Sequence, residues 1–328
     1  MGAEMFAGFS NRFANIADPE RSFNNKTIAR RIPGVKSVKK VLVQAGLVLA
    51  WSSGFIGARM INGGESVYLV LFWRFAIAAV IFSPWLGLTL IRGVALRDVA
   101  NQSCLGFLAM FCSTTFAVKA VATGLPPGTA ALISALQPLA TTICAVPVLG
   151  ERISARKWLG SLIALAGVAL ATGGPTGHAP LSAYGLAVAA SLCLVLATLI
   201  SKLSSTSMSI FPALAVQSAV SALCMLPLAV LDGRLAPHMT AQFATVVLWF
   251  VIISTAVGYG LYWFCLRENA ASEVATLIYL TPVITAAWAY VVFGEPTTMK
   301  ATLGYFVCVI GIAIGTSAFT TKLNLSKK

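Results

Sequence analysis

The segment LQPLATTICAVPVLGE at 136–151 returns as LTPVITAAWAYVVFGE at 280–295, displaced by 144 positions. The displacement is the same for the proline near the start and for the Gly-Glu pair at the end. It continues without a gap over 130–170 and 274–314. A constant offset kept through Pro, Gly and Glu indicates an internal duplication. The period is far too long for a solenoid repeat, so each copy belongs to one half of a larger unit.

The duplication extends toward the N-terminus at an offset of 143 or 144. Arg74 then aligns with Gln217, and Pro84 aligns with Pro227. Two related halves therefore account for almost everything after Lys40. We predict a basic cytoplasmic tail, a first half, a second half and a short cytoplasmic tail, at 1–40, 41–172, 183–319 and 320–328.

The composition indicates a membrane protein. Hydrophobic residues make up 58% of the chain and charged residues 10%, where a soluble domain carries about 25% charged residues. Apolar runs of about 18–24 residues recur along the chain, each long enough to cross a bilayer as a helix. The net charge of +13 does not indicate a nucleic-acid partner, because most cations lie in the tails and in short loops between apolar runs.

The apolar runs predict an all-α polytopic membrane protein with ten transmembrane helices. The spans are at 41–61, 67–91, 100–122, 128–149, 154–172, 183–203, 210–231, 243–266, 272–293 and 299–319. With both tails on the cytoplasmic side, 18 Lys or Arg residues fall in inside segments and three in outside segments. This bias agrees with the positive-inside rule.

Five spans in each half are an odd number, so the second half enters the membrane in the opposite orientation. The prediction is a 5+5 inverted repeat, in which the two halves can adopt each other's conformation and open a cavity to alternate sides. A duplicated channel is the alternative, but no ring of acidic residues or repeated carbonyl filter supports it.

Three groups of motifs resemble the drug/metabolite transporter superfamily. They are Trp51-Ser52-Ser53-Gly54-Phe55, Phe72-Trp73-Arg74-Phe75 and the paired Leu-x-Pro, Gly-Glu, Leu-Gly and Gly motifs. More narrowly, residues 41–319 resemble ten-helix EamA-type exporters and are similar to bacterial exporters of aromatic and neutral amino acids. The resemblance implies a carrier in the plasma (inner) membrane, with a central cavity lined mainly by spans 3, 4, 8 and 9.

Two prolines lie near the middle of equivalent spans, Pro138 in span 4 and Pro282 in span 9. A proline removes one helical hydrogen bond and strains the preceding turn, which frees carbonyls near Ser134 and Ile278. In hydrocarbon such groups are tolerated only against protein or a watery cavity. We favour a functional hinge or site because the depths match in the two halves; the alternative is a packing kink.

Arg74 is the deepest charge that the sequence predicts. It lies seven residues into span 2, about 10 Å along a helix that rises 1.5 Å per residue. A guanidinium at this depth must be paired or face water. Two roles are open: it grips a substrate carboxylate in bidentate fashion, or it binds backbone carbonyls as a structural lock.

Aromatic and polar residues inside the spans could form a largely apolar pocket with a few polar groups. Each aromatic residue alone is equally typical of a packed core. Such a pocket suits an amphipathic solute, and freed carbonyls near the prolines would bind its ammonium group. The candidate substrate-binding residues are Trp51, Arg74, Thr115, Gln137, Pro138, Tyr259, Trp263, Tyr279, Thr281 and Pro282.

Three functions compete. The leading one is a secondary carrier or facilitator that exports amino acids or similar metabolites. A carrier for another metabolite, a drug or a nucleotide-sugar-like anion is the second, although a large anion would need several cations in the cavity. An intramembrane enzyme is the third, but the spans hold no His/Asp/Glu constellation and no serine–base pair.

We therefore expect a transporter without enzymatic activity. No cofactor or metal is expected, because the seven cysteines lie in or beside apolar runs without a Cys-x-x-Cys pair and are interpreted as free thiols. The expected partners are a small amino-acid-like solute and the lipid bilayer, with no nucleic acid, and a monomer is expected to suffice. Spans 5 and 10 repeat small residues, which predicts close helix packing between the halves.

Overall fold

A computed structural model of the chain describes residues 33–61, 66–125, 127–172, 179–204, 206–233, 235–294 and 298–315. Throughout these residues the regular structure is helical, with no β-strand. The two predicted tails lie largely outside the described residues. The chain divides into two compact units, residues 1–45 and 46–328; the described part of the first is the beginning of one helix, and the second contains the other helices.

The first half forms helices at the predicted spans, and the third span contains a wider π-helical turn between two α-helices. These elements are α1 (Pro33–Met60), α2 (Val67–Ile91), α3 (Leu96–Leu105), π1 (Gly106–Cys112), α4 (Ser113–Ala122), α5 (Pro127–Leu149) and α6 (Ala155–Thr172). The first helix starts earlier than predicted, inside the segment assigned to the tail. Proline is favoured in a first helical turn, where its missing N–H is not needed.

The second half repeats this order, and its eighth span also has a π-helical centre. The elements are α7 (Leu181–Leu203), α8 (Ile210–Leu231), α9 (Ala241–Trp249), π2 (Phe250–Tyr259), α10 (Gly260–Glu268), α11 (Ala271–Ile278), α12 (Thr281–Phe293) and α13 (Met299–Gly315). The predicted ninth span is therefore not one continuous helix: it is interrupted at Tyr279 and Leu280.

Several helices in the described part of the chain have the length and apolar character that a membrane crossing requires. Six meet both conditions: Val67–Ile91, Leu96–Ala120, Leu181–Leu203, Ile210–Leu231, Ala241–Glu268 and Ala271–Phe293. Ile133–Leu149 and Met299–Gly315 are shorter apolar helices. The polytopic helical class is thus confirmed, while the count of ten crossings stays a prediction.

The two π-helical segments occupy equivalent positions in the halves. Gly106 begins π1 and Phe250 begins π2, again 144 positions apart. A π-helix widens the turn and disturbs the regular hydrogen-bond ladder, and such segments are frequent at functional sites. The duplication thus preserved an irregular backbone feature that the apolar pattern of these spans does not predict.

Helices α6 and α13 pack through glycines in a reciprocal arrangement. A Cβ on Gly160 would lie 2.5 Å from the carbonyl oxygen of Gly311, and one on Gly304 would lie 2.6 Å from that of Gly167. Because Gly160 is equivalent to Gly304 and Gly167 to Gly311, the two contacts are copies of each other across a pseudo-twofold axis. The predicted close packing of spans 5 and 10 is confirmed.

Segments predicted on the same side of the membrane contact each other. At one end, Asp98 accepts hydrogen bonds from the backbone N–H and Oγ of Ser207, at 3.1 and 2.7 Å. At the other end, Ser66 Oγ hydrogen-bonds the carboxylate of Asp232, and Trp73 Nε1 donates to the carbonyl of Leu235 at 3.0 Å. These contacts join segments of the two halves at each end of the bundle, and the orientation of those ends in the membrane stays a prediction.

Candidate functional site

Arg74 lies inside the bundle, where its side chain is only 4% exposed. Its Nε donates to Oγ1 of Thr255 at 2.9 Å, and one terminal nitrogen donates to Oγ of Ser254 at 3.1 Å. Both hydroxyls belong to π2, in the other half of the chain. The predicted alternatives were a substrate carboxylate and backbone carbonyls, whereas the contacts seen are to side-chain hydroxyls.

Two aromatic rings flank the guanidinium. Its central carbon is 4.9 Å from the ring centre of Phe75 and 4.8 Å from that of Phe250, within the range of a cation–π contact. No carboxylate of the described residues contacts Arg74. Within the described residues, hydroxyl dipoles and aromatic rings are the groups that contact the positive charge, so it has no counter-ion there. We call Arg74, Phe250, Ser254 and Thr255 the charged junction.

The position equivalent to Arg74 carries a neutral network. The Nε2 of Gln217 donates to Oε1 of Gln102 at 2.7 Å, and Ser221 Oγ donates to the carbonyl of Gly106, the first residue of π1, at 3.1 Å. A Cβ on Gly106 would lie 2.6 Å from the Cα of Gln217, so the two backbones touch. We call Gly106, Gln102, Gln217 and Ser221 the neutral junction.

Three of the predicted aromatic residues form one cluster with a fourth that the sequence did not single out. Trp51 lies 5.2 Å from Tyr259 and 4.7 Å from Tyr262, between ring centres. Tyr262 also makes an edge contact with Trp263 at 5.1 Å. Tyr262 follows Tyr259 by three residues, which is a spacing that places both on one helical face; that signal could have found it.

Three of the four members of this aromatic cluster have their polar atoms hydrogen-bonded. The Tyr259 hydroxyl donates to the carbonyl of Ala109 in π1 at 2.9 Å. Tyr262 shares a 2.5 Å hydrogen bond with Thr198, and Trp263 Nε1 donates to Oε1 of Gln217 at 2.9 Å. Rings with anchored polar tips present their apolar faces in a fixed orientation, as a pocket for an aromatic or aliphatic side chain requires.

The two prolines have different surroundings. Helix α5 continues through Pro138, whose carbonyl accepts from Thr142 Oγ1 at 2.9 Å. Pro282 instead lies in the first turn of α12, directly after the interruption. Gln137 is buried beside Pro138, and the hydroxyl of Thr115 is buried without a hydrogen-bond partner. A matched pair of prolines therefore gives a continuous helix in one half and a broken helix in the other.

At the interruption, a side chain from another helix binds the backbone carbonyl of Tyr279. Cys308 Sγ donates to the carbonyl of Tyr279 at 3.2 Å. Ser52 Oγ donates to the carbonyl of Val48 at 2.6 Å and lies 3.4 Å from that of Thr281. Tyr279 packs in an apolar cluster with Val168 and Ile312. Its hydroxyl and that of Thr281 are buried without partners. Tyr279 thus contacts the α6–α13 pair, and its role as a substrate-binding residue stays a prediction.

The acidic residue of the first Gly-Glu motif has an internal role. Pairing of Glu151 with neighbouring Arg152 in an exposed loop is what the sequence favours, and the structure shows otherwise. Its carboxylate accepts from the backbone N–H of Ala271 at 2.7 Å and hydrogen-bonds Ser272. A carboxylate is favoured at a helix N-terminus, so Glu151 caps the broken helix α11. The second copy, Glu295, lies outside the described residues.

Metal-ligating side chains do not gather within the described ranges. No group of three or more His, Cys, Asp or Glu residues there could hold a metal ion. The cysteines in these ranges are free thiols.

The chain matches the EamA-like transporter family twice, over residues 39–173 and 181–316. It is 26% identical over 297 residues to a protein of Salmonella typhimurium named a probable amino-acid metabolite efflux pump, covering 84% of this chain and 94% of that protein. It is also 26% identical over 286 residues to a probable terminal-alkyne amino-acid exporter of Streptantibioticus cattleyicolor, covering 85% and 94%.

A solved crystal structure shares the fold. It superposes with a TM-score of 0.70 at 19% sequence identity and covers 84% of this chain and 96% of that one. At this identity the likeness concerns the fold alone.

Proposed function

The chain belongs to the EamA-like transporter family and is an integral multi-pass membrane protein, and on this premise we propose that it exports amino acids with aromatic and neutral side chains. The carrier has ten spans in two inverted halves, lies in the bacterial inner membrane and has both termini in the cytoplasm. The names of the two relatives, which both refer to amino acids, support this class of solute. A monomer suffices for transport.

The observation that carries the proposal is the buried, uncompensated charge of Arg74 beside an aromatic cluster. The guanidinium has donors left after its bonds to Ser254 and Thr255, because it carries five N–H groups. A substrate carboxylate that reaches them gains charge-assisted hydrogen bonds. Tyr259 of the aromatic cluster lies in π2, the same segment that supplies Ser254 and Thr255 to Arg74, so one element joins the charge to the cluster, where the solute's side chain binds.

The paired π-helices and the paired prolines supply the mobile parts of the carrier. π1 and π2 begin at equivalent positions of the two halves, and irregular helical turns are suited to local rearrangement. Exchange of conformation between the halves then moves the access path from one side of the membrane to the other.

Counterflow in proteoliposomes tests the proposal. Liposomes preloaded with unlabelled L-phenylalanine or L-leucine are expected to accumulate the labelled amino acid transiently, while L-arginine, L-glutamate and a nucleotide sugar give little exchange. The control is liposomes that contain the Arg74→Gln protein. Exchange of the nucleotide sugar without exchange of any amino acid would contradict the proposed solute class and favour a carrier of larger anions.

A further inference from the structure

A cavity of about 230 Å³ lies between α3, α7, α8 and α10, at the end of the bundle that we propose to be cytoplasmic. Two cationic side chains, Lys202 and Arg267, line it together with the hydroxyls of Ser204 and Thr206. Neither cation belongs to the charged junction. The cavity thus brings positive charge to an open space that is separate from the charged junction.

Both cations are held in place by neutral groups. Lys202 Nζ donates to the carbonyls of Leu266 and Asn269, at 2.6 and 2.8 Å. A terminal nitrogen of Arg267 donates to the carbonyl of Met208 at 2.9 Å. In the part of the chain that the structure describes, no carboxylate contacts either residue. Two fixed positive charges that share a cavity without a counter-charge attract an oxyanion.

We propose that this cavity receives the carboxylate of the solute before the solute reaches Arg74. The inference rests on the proposed function, because it assigns an entry site to the same transport path. Lys202, Arg267 and the hydroxyls of Ser204 and Thr206 all line the cavity, so a carboxylate that enters it meets two cations and neutral donors. Charge-assisted hydrogen bonds of this kind favour binding of the carboxylate.

A hydrogen-bonded network closes the inner wall of this entry site. Gln102 and Trp263 both line the cavity, and both bind the buried amide of Gln217. On the far side, Trp263 contacts Tyr262, which in turn contacts Trp51. Trp263 therefore belongs both to the lining of the entry site and to the aromatic cluster, and it donates to the amide of Gln217. The solute must displace this network to pass from the entry site toward Arg74.

Charge-selective thiol labelling tests the cavity without requiring transport. In a Ser204→Cys protein, negatively charged 2-sulfonatoethyl methanethiosulfonate is expected to label the introduced cysteine at least about tenfold faster than its trimethylammonio analogue does. The parent protein, which has serine at position 204, gives the background labelling by each reagent. Ser209→Cys, in an exposed position of the same connection, is the control and should show no such preference. Adding Lys202→Met or Arg267→Met should remove the preference, and equal rates at Ser204→Cys would overturn the proposal.

Protection experiments identify the ligand. L-Leucine is expected to slow labelling at Ser204→Cys, whereas leucinamide, which has no carboxylate, should not. Protection by inorganic phosphate or by phosphatidylglycerol vesicles, without protection by L-leucine, would overturn the proposal in favour of a phosphate or lipid-headgroup site. Because labelling does not depend on turnover, its result is distinguishable from a failure to transport amino acids.

Sidedness of transport provides a second test. Lys202→Met and Arg267→Met should raise the half-saturating concentration of L-leucine about tenfold at the cytoplasmic face and less than twofold at the opposite face. Arg97→Met, an exposed cation at the same end that does not line the cavity, is the matched control. An equal change at both faces would assign the two cations to the central site and overturn the proposal.

Discussion

The charged and neutral junctions occupy equivalent positions in the two halves of the duplicated chain, yet one is built around a cation and the other around neutral amides. Arg74 of α2 contacts π2, and its equivalent Gln217 of α8 contacts α3 and the start of π1. The geometry is shared, because in each case a side chain of the second span of one half meets the irregular helix of the other half. In the charged junction this side chain is the buried cation Arg74. In the neutral junction the equivalent residue is Gln217, whose amide bonds to a second amide.

The residues that begin the two π-helices account for much of the difference. Phe250 places an aromatic ring under the guanidinium at 4.8 Å, whereas Gly106 has no side chain and admits the backbone of Gln217. Ser254 and Thr255, which bind Arg74, correspond to Met110 and Phe111 in π1. Duplication therefore supplied two similar backbone frames, and divergence of their sequences leaves a buried cation in only one of them.

The largest expected effect concerns the charge itself. Arg74→Gln should reduce counterflow of L-phenylalanine by about 30-fold or more, because removing one partner of a buried charged contact costs about 2–5 kcal/mol. Arg74→Lys should retain part of the activity, since the charge remains without the bidentate geometry. Arg97→Gln, at an exposed site, is the control. Normal apparent affinity in a folded Arg74→Gln protein would remove Arg74 from the site.

The second-largest expected effect concerns the hydroxyl groups that bind Arg74. Thr255→Val keeps the side-chain shape but removes a hydrogen bond to a charged group, which contributes about 1.5–3 kcal/mol. We expect a lower melting temperature in detergent and weaker transport. Thr245→Val is the control, because Thr245 is exposed and bonds only to its own helix. Equal melting temperatures for the two variants would show that Thr255 does not support the guanidinium.

The third prediction concerns stability, at the close approach of Gly106 to the backbone of Gln217 in the neutral junction. Gly106→Ala should destabilise the protein by about 1–3 kcal/mol, as overpacking does, because the new Cβ would lie 2.6 Å from the Cα of Gln217. Gly185→Ala is the matched helical control, since a Cβ there meets nothing within 4 Å. Thermal unfolding measures both. If Gly106→Ala unfolds at the temperature of the parent, the two backbones are not in contact.

The smallest expected effect concerns the bond that links the aromatic cluster to π1. Tyr259→Phe removes the donor to the Ala109 carbonyl and should cost about 0.5–1.5 kcal/mol of stability. Because the ring is retained, solute preference should change little. Tyr290→Phe, at a 62% exposed position, is the control. A changed preference between L-phenylalanine and L-leucine would show that the Tyr259 hydroxyl contacts the solute.

The prolines show where prediction from the motif stops. Pro138 and Pro282 have the same spacing to the following Gly-Glu, so the sequence predicts one behaviour for both. The structure continues α5 and breaks the second copy at Tyr279 and Leu280. Cys308 and Glu151, from other helices and loops, bind backbone groups that the broken helix leaves unpaired. Such partners are remote in sequence, and the local motif does not encode them.

The sequence by itself determined the helical membrane class, the duplication, the approximate positions of most helices and the burial of Arg74. These depend on the length of apolar runs and on repeated motifs, which are local properties of the chain. Only the tertiary structure decided that Arg74 meets Ser254 and Thr255, that Trp51 lies against Tyr262, and that Lys202 and Arg267 share a cavity. Hydrogen bonds and ring contacts act over a few ångströms, so they depend on which helices the packing brings together.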